Sequence, residues 1–174
     1  HVRIAGEANG LKAELTLWVD VHAPNVHVEL SADKKVTMEA VYESWRFKDL
    51  FPKKKENNAN SWKWAPPAPV VTHHDHIRAV DNAIVFYHQN QDTTAFDVVV
   101  GQQQLNAVKD SLFNPLSGLI SGATMQGKGM VFVGEEHGHY MDTDFKGWSL
   151  TRRSPGRKQD RHTAAQGQSV APGG

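Results

Sequence analysis

Between Leu11 and Arg46 the chain alternates apolar and polar residues with a period of two, in three separate runs. Leu15, Leu17, Val19 and Val21 interleave with Glu14, Thr16, Trp18 and Asp20. Val26, Val28 and Leu30 interleave with His27 and Glu29, and Val36, Met38, Ala40 and Tyr42 with Thr37, Glu39 and Glu43. Successive side chains of a strand point to opposite faces, so each run predicts a strand with one apolar and one wet face. The connections HAPN and SADKK are rich in Pro, Asn, Asp and Ser, which suit tight turns. The reading is a three-stranded antiparallel sheet whose apolar side needs a second layer from the rest of the chain.

The remainder supplies more strands and little helix. Val2 to Ala5 reads as the end of a strand that turns back at Asn9-Gly10, a strong hairpin signal. After Arg46, FKDLFPKKKENNANSWKWAPPAP has no sustained period, and loops of that length are usually functional or mobile. Strands are expected over 70–80 and 83–89, turning at Asp81-Asn82, and again where Phe96, Val98 and Val100 alternate. Leu105, Val108 and Leu112 fall at helical spacing and predict one or two short helical turns. Residues 119–126, 130–134 and 148–151 are the last strand candidates. This pattern predicts an all-β chain, an antiparallel β-sandwich of about ten short strands. Residues 1–151 form the sandwich domain, and 152–174 form a polar, basic tail that should be loosely ordered.

The chain has 174 residues, enough for one domain or two small ones. Lys plus Arg balance Asp plus Glu at 19 each, so no global field favours nucleic acid or an anionic membrane. No apolar run is long enough to span a bilayer. The absence of Cys excludes a disulfide scaffold and thiolate metal sites and leaves the compartment open. The chain opens on His1 with no visible signal peptide, and reads as a piece of something longer.

Several clusters could carry chemistry. His73-His74-Asp75-His76 offers metal-ligand types, but strand alternation puts His74 and His76 on one face and His73 and Asp75 on the other. A third ligand would have to come from elsewhere, such as His88; solvated histidines at a strand end are the more ordinary outcome. His137-Gly138-His139, beside Glu135 and Glu136, reads as a polar hairpin tip. Trp45, Trp62 and Trp64 lie within twenty residues of one another, and an indole ring flanked by Arg46 suits a sugar face or a protein partner. Packing of the same rings onto the sheet is the competing reading. Lys53, Lys54 and Lys55 read as a solvated loop tip. Paired carboxylates could catalyse glycosidic cleavage, but no pair stands out. Nucleophile-elbow, phosphate-loop and dinucleotide signatures are absent.

LTLWVDVHAPNVHVEL followed by VYESWRFKD, then AIVFYHQNQDTTAFDVVVGQQQL, LFNPLSGLISGATMQG, FKGWSL and HTAAQ, resembles one family in order and content. It is the N-terminal β-sandwich domain, of unknown function family 5703, of bacterial glycoside hydrolases related to the α-L-fucosidase-like family 95. The resemblance runs from Val2 to Gln166. It departs from the family pattern in lacking the opening segment and the helical barrel that should follow. The resemblance implies a supersandwich-like domain packed on an (α/α) toroid that holds the catalytic acid and base, with the sandwich lending loops to the cleft. It carries no catalytic residue onto this chain.

Three functions follow as expectations. The first is a non-catalytic sandwich module whose partners are carbohydrate and the helical catalytic domain of the same polypeptide, with a periplasmic or extracellular setting. The second is a free-standing carbohydrate-binding protein using Trp45, Trp62 and Trp64. The third is a metal-dependent, cupin-like enzyme built on His73 to His76 and drawing on His74, His76 and His88. Under the first, carbohydrate or partner contact falls to Trp45, Arg46, Trp62 and Trp64, and no cofactor is needed.

Overall fold

The computed structural model describes residues 1–51, 71–141 and 143–153, together with the backbone of 164–168. Trp62, Trp64 and the Lys53–Lys55 tip lie outside the described residues. Among the described residues, ten antiparallel strands make three sheets: β1 (Val2–Ala8), β2 (Leu11–Val19) and β3 (Val26–Ala32); β4 (Thr37–Ser44), β9 (Thr143–Arg153) and β8 (Val131–Tyr140); and β10 (Ala164–Gln168), β7 (Ile120–Gly127), β6 (Ala83–Gln89) and β5 (His76–Val80). The chain is an all-β antiparallel sandwich. Its core lies between the β4-β9-β8 and β10-β7-β6-β5 sheets, where Ile84, Leu150, Met130 and Trp148 are buried. Met38, Ala40, Tyr42, Ile77, Phe86, Met125 and Phe132 pack around them.

The first two alternating runs pair as expected, but the third does not join them. β1 takes the third place beside β2, through an Asn9-Gly10 turn with φ of 51° and 70°. β4 pairs instead with β9, setting Tyr42 against Trp148 and Ala40 against Leu150. A period of two specifies which face is buried and leaves the neighbour open. For β4 the deciding contact is the apolar face of a strand more than a hundred positions away, with Thr151 donating to the Met38 carbonyl at 3.3 Å.

Phe96, Val98 and Val100 lie on α1 (Ala95–Gln102), not on a strand. Thr94 starts the helix: its N–H and Oγ donate to Asp97 Oδ2 at 2.6 and 2.9 Å. A Thr three residues ahead of an acid closes the first turn and overrides the short alternation. The expected helical turn beyond it is a 3-10 turn at Asn106–Ser111. His137-Gly138-His139 lies within β8 and not at a hairpin tip, because β8 and β9 pair as far as Tyr140 and Thr143. Of the tail, residues 152 and 153 complete β9, and 164–168 form β10, paired with β7. The other tail residues lie outside the described residues.

The β1-β2-β3 sheet has two unlike faces. The register aligns Val2, Leu17 and Val28 across it, and Ile4, Leu15 and Leu30 beside them. The margins of this apolar face are open to solvent, with Val2 54% exposed, Ile4 61%, Val19 61% and Val26 36%, while Leu15, Leu17, Val28 and Leu30 at its centre are half-buried. The opposite face carries the ion pairs Arg3–Glu14 (3.6 Å) and Lys12–Glu7 (3.5 Å), and Trp18 stacked on His27 with centroids 4.9 Å apart.

Candidate functional site

At the end of the sandwich where β4 stops, the two core sheets are joined by polar groups. The β5–β6 register sets His76 against Tyr87, and one step further Asp75 and His88 meet on the inward face. From the other sheet, Ser44 closes β4 and Arg46 follows it. Arg46 Nη2 lies 3.0 Å from Asp75 Oδ1, and Ser44 Oγ donates to Asp75 Oδ2 at 3.2 Å. The Asp75 N–H donates to the Arg46 carbonyl at 2.6 Å. Asp75 has a side chain 7% exposed, so its charge is desolvated and depends on these partners.

His88 Nδ1 is 3.0 Å from Asp75 Oδ1. An ionised carboxylate only accepts, so Nδ1 carries the proton and Nε2 keeps its lone pair. Burial, and then the Arg46 charge, hold the His88 imidazolium pKa below its ordinary value and keep the ring neutral near pH 7. Tyr42, beneath the cluster, is pushed up to about 12 by burial and then by the Asp75 charge.

Around this latch the rim is lined with His and carboxylate pairs. Asp49 accepts the His74 N–H at 2.9 Å and faces His74 Nδ1 at 2.7 Å and His73 Nδ1 at 3.3 Å. The bond to the His74 side chain, foremost, holds the Asp49 carboxyl down at about 2. On β8 and β9, Glu135 Oε2 binds Lys146 Nζ at 2.6 Å and Glu135 Oε1 accepts the Trp148 indole N–H at 2.8 Å. Asp144 bridges His139 at 3.0 Å and Lys48 at 3.5 Å.

This geometry restricts the chemistry. Ser44 bonds the carboxylate and not the imidazole, so the Ser–Asp–His set lacks the hydroxyl–base contact that activates a nucleophile. The carboxylates of the rim are held by cationic or imidazole partners, an arrangement suited to fixing side chains in place. Among the described residues, no group of three or more His, Asp or Glu is placed to hold a metal ion. Alternation explains this for the β5–β6 histidines. His74 and His76 adjoin with ring centroids 5.4 Å apart, and His76 stacks on Tyr87 at 4.7 Å, whereas His88 turns inward to Asp75.

Of the residues expected to touch carbohydrate or a partner, Arg46 is the inter-sheet cation of the latch. Trp45 packs on Phe145 at 5.2 Å, and the Phe145 ring fills the space over Gly138 where a Cβ would sit. Asp49 and Ser44 gave no signal in the sequence; their roles depend on a fold that brings β4 to the start of β5.

These features define an antiparallel β-sandwich protein with a polar latch at one end and an open apolar sheet. The chain belongs to the family described as Domain of unknown function (DUF5703), whose N-terminal model matches residues 1–171. No curated protein and no solved structure matches it. Among the described residues, no helix is long and apolar enough to cross a membrane.

Proposed function

We propose that the chain is the non-catalytic N-terminal sandwich module of a glycoside hydrolase related to family 95. It packs on a helical (α/α) catalytic toroid of the same polypeptide and lends its rim to the carbohydrate cleft, in the periplasm or outside the cell. The observation that carries this reading is the apolar face of β1-β2-β3. Val2, Ile4, Val19 and Val26 remain at least one-third exposed on one side of a sheet whose other side is already charged. A contiguous apolar patch on a polar-backed sheet marks a docking surface. Support also comes from the latch chemistry, which fixes side chains at the rim and sets up no nucleophile.

The test is to express the chain alone and joined to the helical segment of its parent polypeptide, and to assay both on aryl glycosides. Hydrolysis by the joined protein and none by the chain alone is expected. Turnover by the chain alone would refute the reading.

A further inference from the structure

We propose that β1 is a seam through which two copies of the chain join edge to edge, in antiparallel register about Ala5. Among the described residues β1 is an edge of its sheet, and all seven of its residues are exposed. It has no Pro and no bulge, two of the devices by which edge strands avoid pairing.

The sequence VRIAGEA is complementary to itself reversed. In an antiparallel pair centred on Ala5, Arg3 faces the second copy's Glu7, and the two-fold axis repeats that pair. On the other face Ile4 meets the second copy's Gly6, where open space exists for it, and Val2 meets Ala8. Within each copy Arg3 already lies 3.6 Å from Glu14, and Lys12 3.5 Å from Glu7. Across the joint the row therefore runs Glu14, Arg3, then the second copy's Glu7 and Lys12, alternating in sign throughout. Opposite charges facing across strands favour that register, and like charges disfavour others.

The β4, β8 and β5 edges contrast with this one. β4 paired with itself about Val41 would set Glu39 against the second copy's Glu43, which repel. β8 carries Glu135 and Glu136 next to the bulge at Gly134, and β5 is five residues long. The seam uses the strand edge and leaves the apolar sheet face free, so it stands independently of the docking reading.

The experiment is sedimentation equilibrium of the full chain over a range of concentrations, at low and at high salt. A mass that doubles with concentration, with association weakened by salt, is expected. Arg3→Glu and Glu7→Arg should each lose self-association with unchanged far-ultraviolet circular dichroism. An equimolar mixture of the two variants should dimerise again, as should the chain carrying both substitutions, since each restores opposite charges in both pairs. A wild-type chain monomeric at every concentration, or single variants that associate as well as wild type, would overturn the proposal.

Discussion

Tyr42 of β4 lies nearly flat on Phe86 of β6, ring centroids 3.7 Å apart and 14° from parallel, so the two core sheets touch through stacked rings beside the point where Arg46 reaches Asp75. An apolar contact and an ionic one thus hold the same end of the sandwich. The ionic one is the more fragile, because a desolvated carboxylate tolerates the loss of a partner poorly.

Arg46→Ala should therefore destabilise the chain by about 2–4 kcal/mol, since it leaves Asp75 buried and short of its main cation. Chemical denaturation measures this. Adding Asp75→Asn should recover part of the loss by removing the stranded charge. A single-variant loss under about 0.5 kcal/mol would show that the latch is incidental.

The latch also predicts a pH response with a definite sign. His88 titrates below its ordinary 6.5 in the folded chain, so below that pH the unfolded chain binds more protons. Its contribution is whole above about 6.5 and is lost as pH falls through the folded value. Denaturation midpoints should drop between pH 7 and pH 5, and His88→Gln should flatten that slope. A slope unchanged by the substitution counts against the assignment.

Asp97 provides an acid-side counterpart. The Lys109 ammonium at 2.6 Å, and then the Thr94 N–H, hold its carboxyl down at about 2. Stability from this group is present above the usual carboxylate range and lost as pH falls toward about 2. Asp97→Asn should cost roughly 1 kcal/mol at pH 7 after allowance for solvent screening, and less at pH 3. Equal losses at both pH values would contradict the pairing.

Gly122 faces Tyr87 in the β6–β7 ladder, and a Cβ there would come within 2.5 Å of the Phe86 carbonyl and of Tyr87 Cβ. The close atoms are backbone or rigidly attached to it, so the strands must part. Gly122→Ala should lower stability by about 1–3 kcal/mol, read as a fall in thermal midpoint. Gly101→Ala, with open space around it, is the control.

The legible parts of this fold were those set by neighbours in the chain. Asn9-Gly10 announced the β1–β2 hairpin, and the alternation of β2 and β3 gave both their strands and their apolar face. The partner of β4 was hidden because Met38, Ala40 and Tyr42 announce a face and not the β9 residues that cover it. Phe96, Val98 and Val100 at spacing two point to a strand, and the signal for α1 is the single Thr94–Asp97 capping pair ahead of them. At the rim, Arg46 and the His73–His76 cluster drew notice for their chemistry. That Arg46 and His88 converge on Asp75 follows from the β5–β6 register and the approach of a second sheet, which no local pattern encodes.

The most direct test of the docking reading is hydroxyl-radical footprinting of the chain alone and of the chain joined to the proposed helical catalytic domain. Labelling at Val2, Ile4, Leu15, Leu17, Val19 and Val26 should fall severalfold on joining, while Val131 and Val133 on the outlying β8 serve as references. Equal labelling of the first-sheet residues in both proteins would contradict the account.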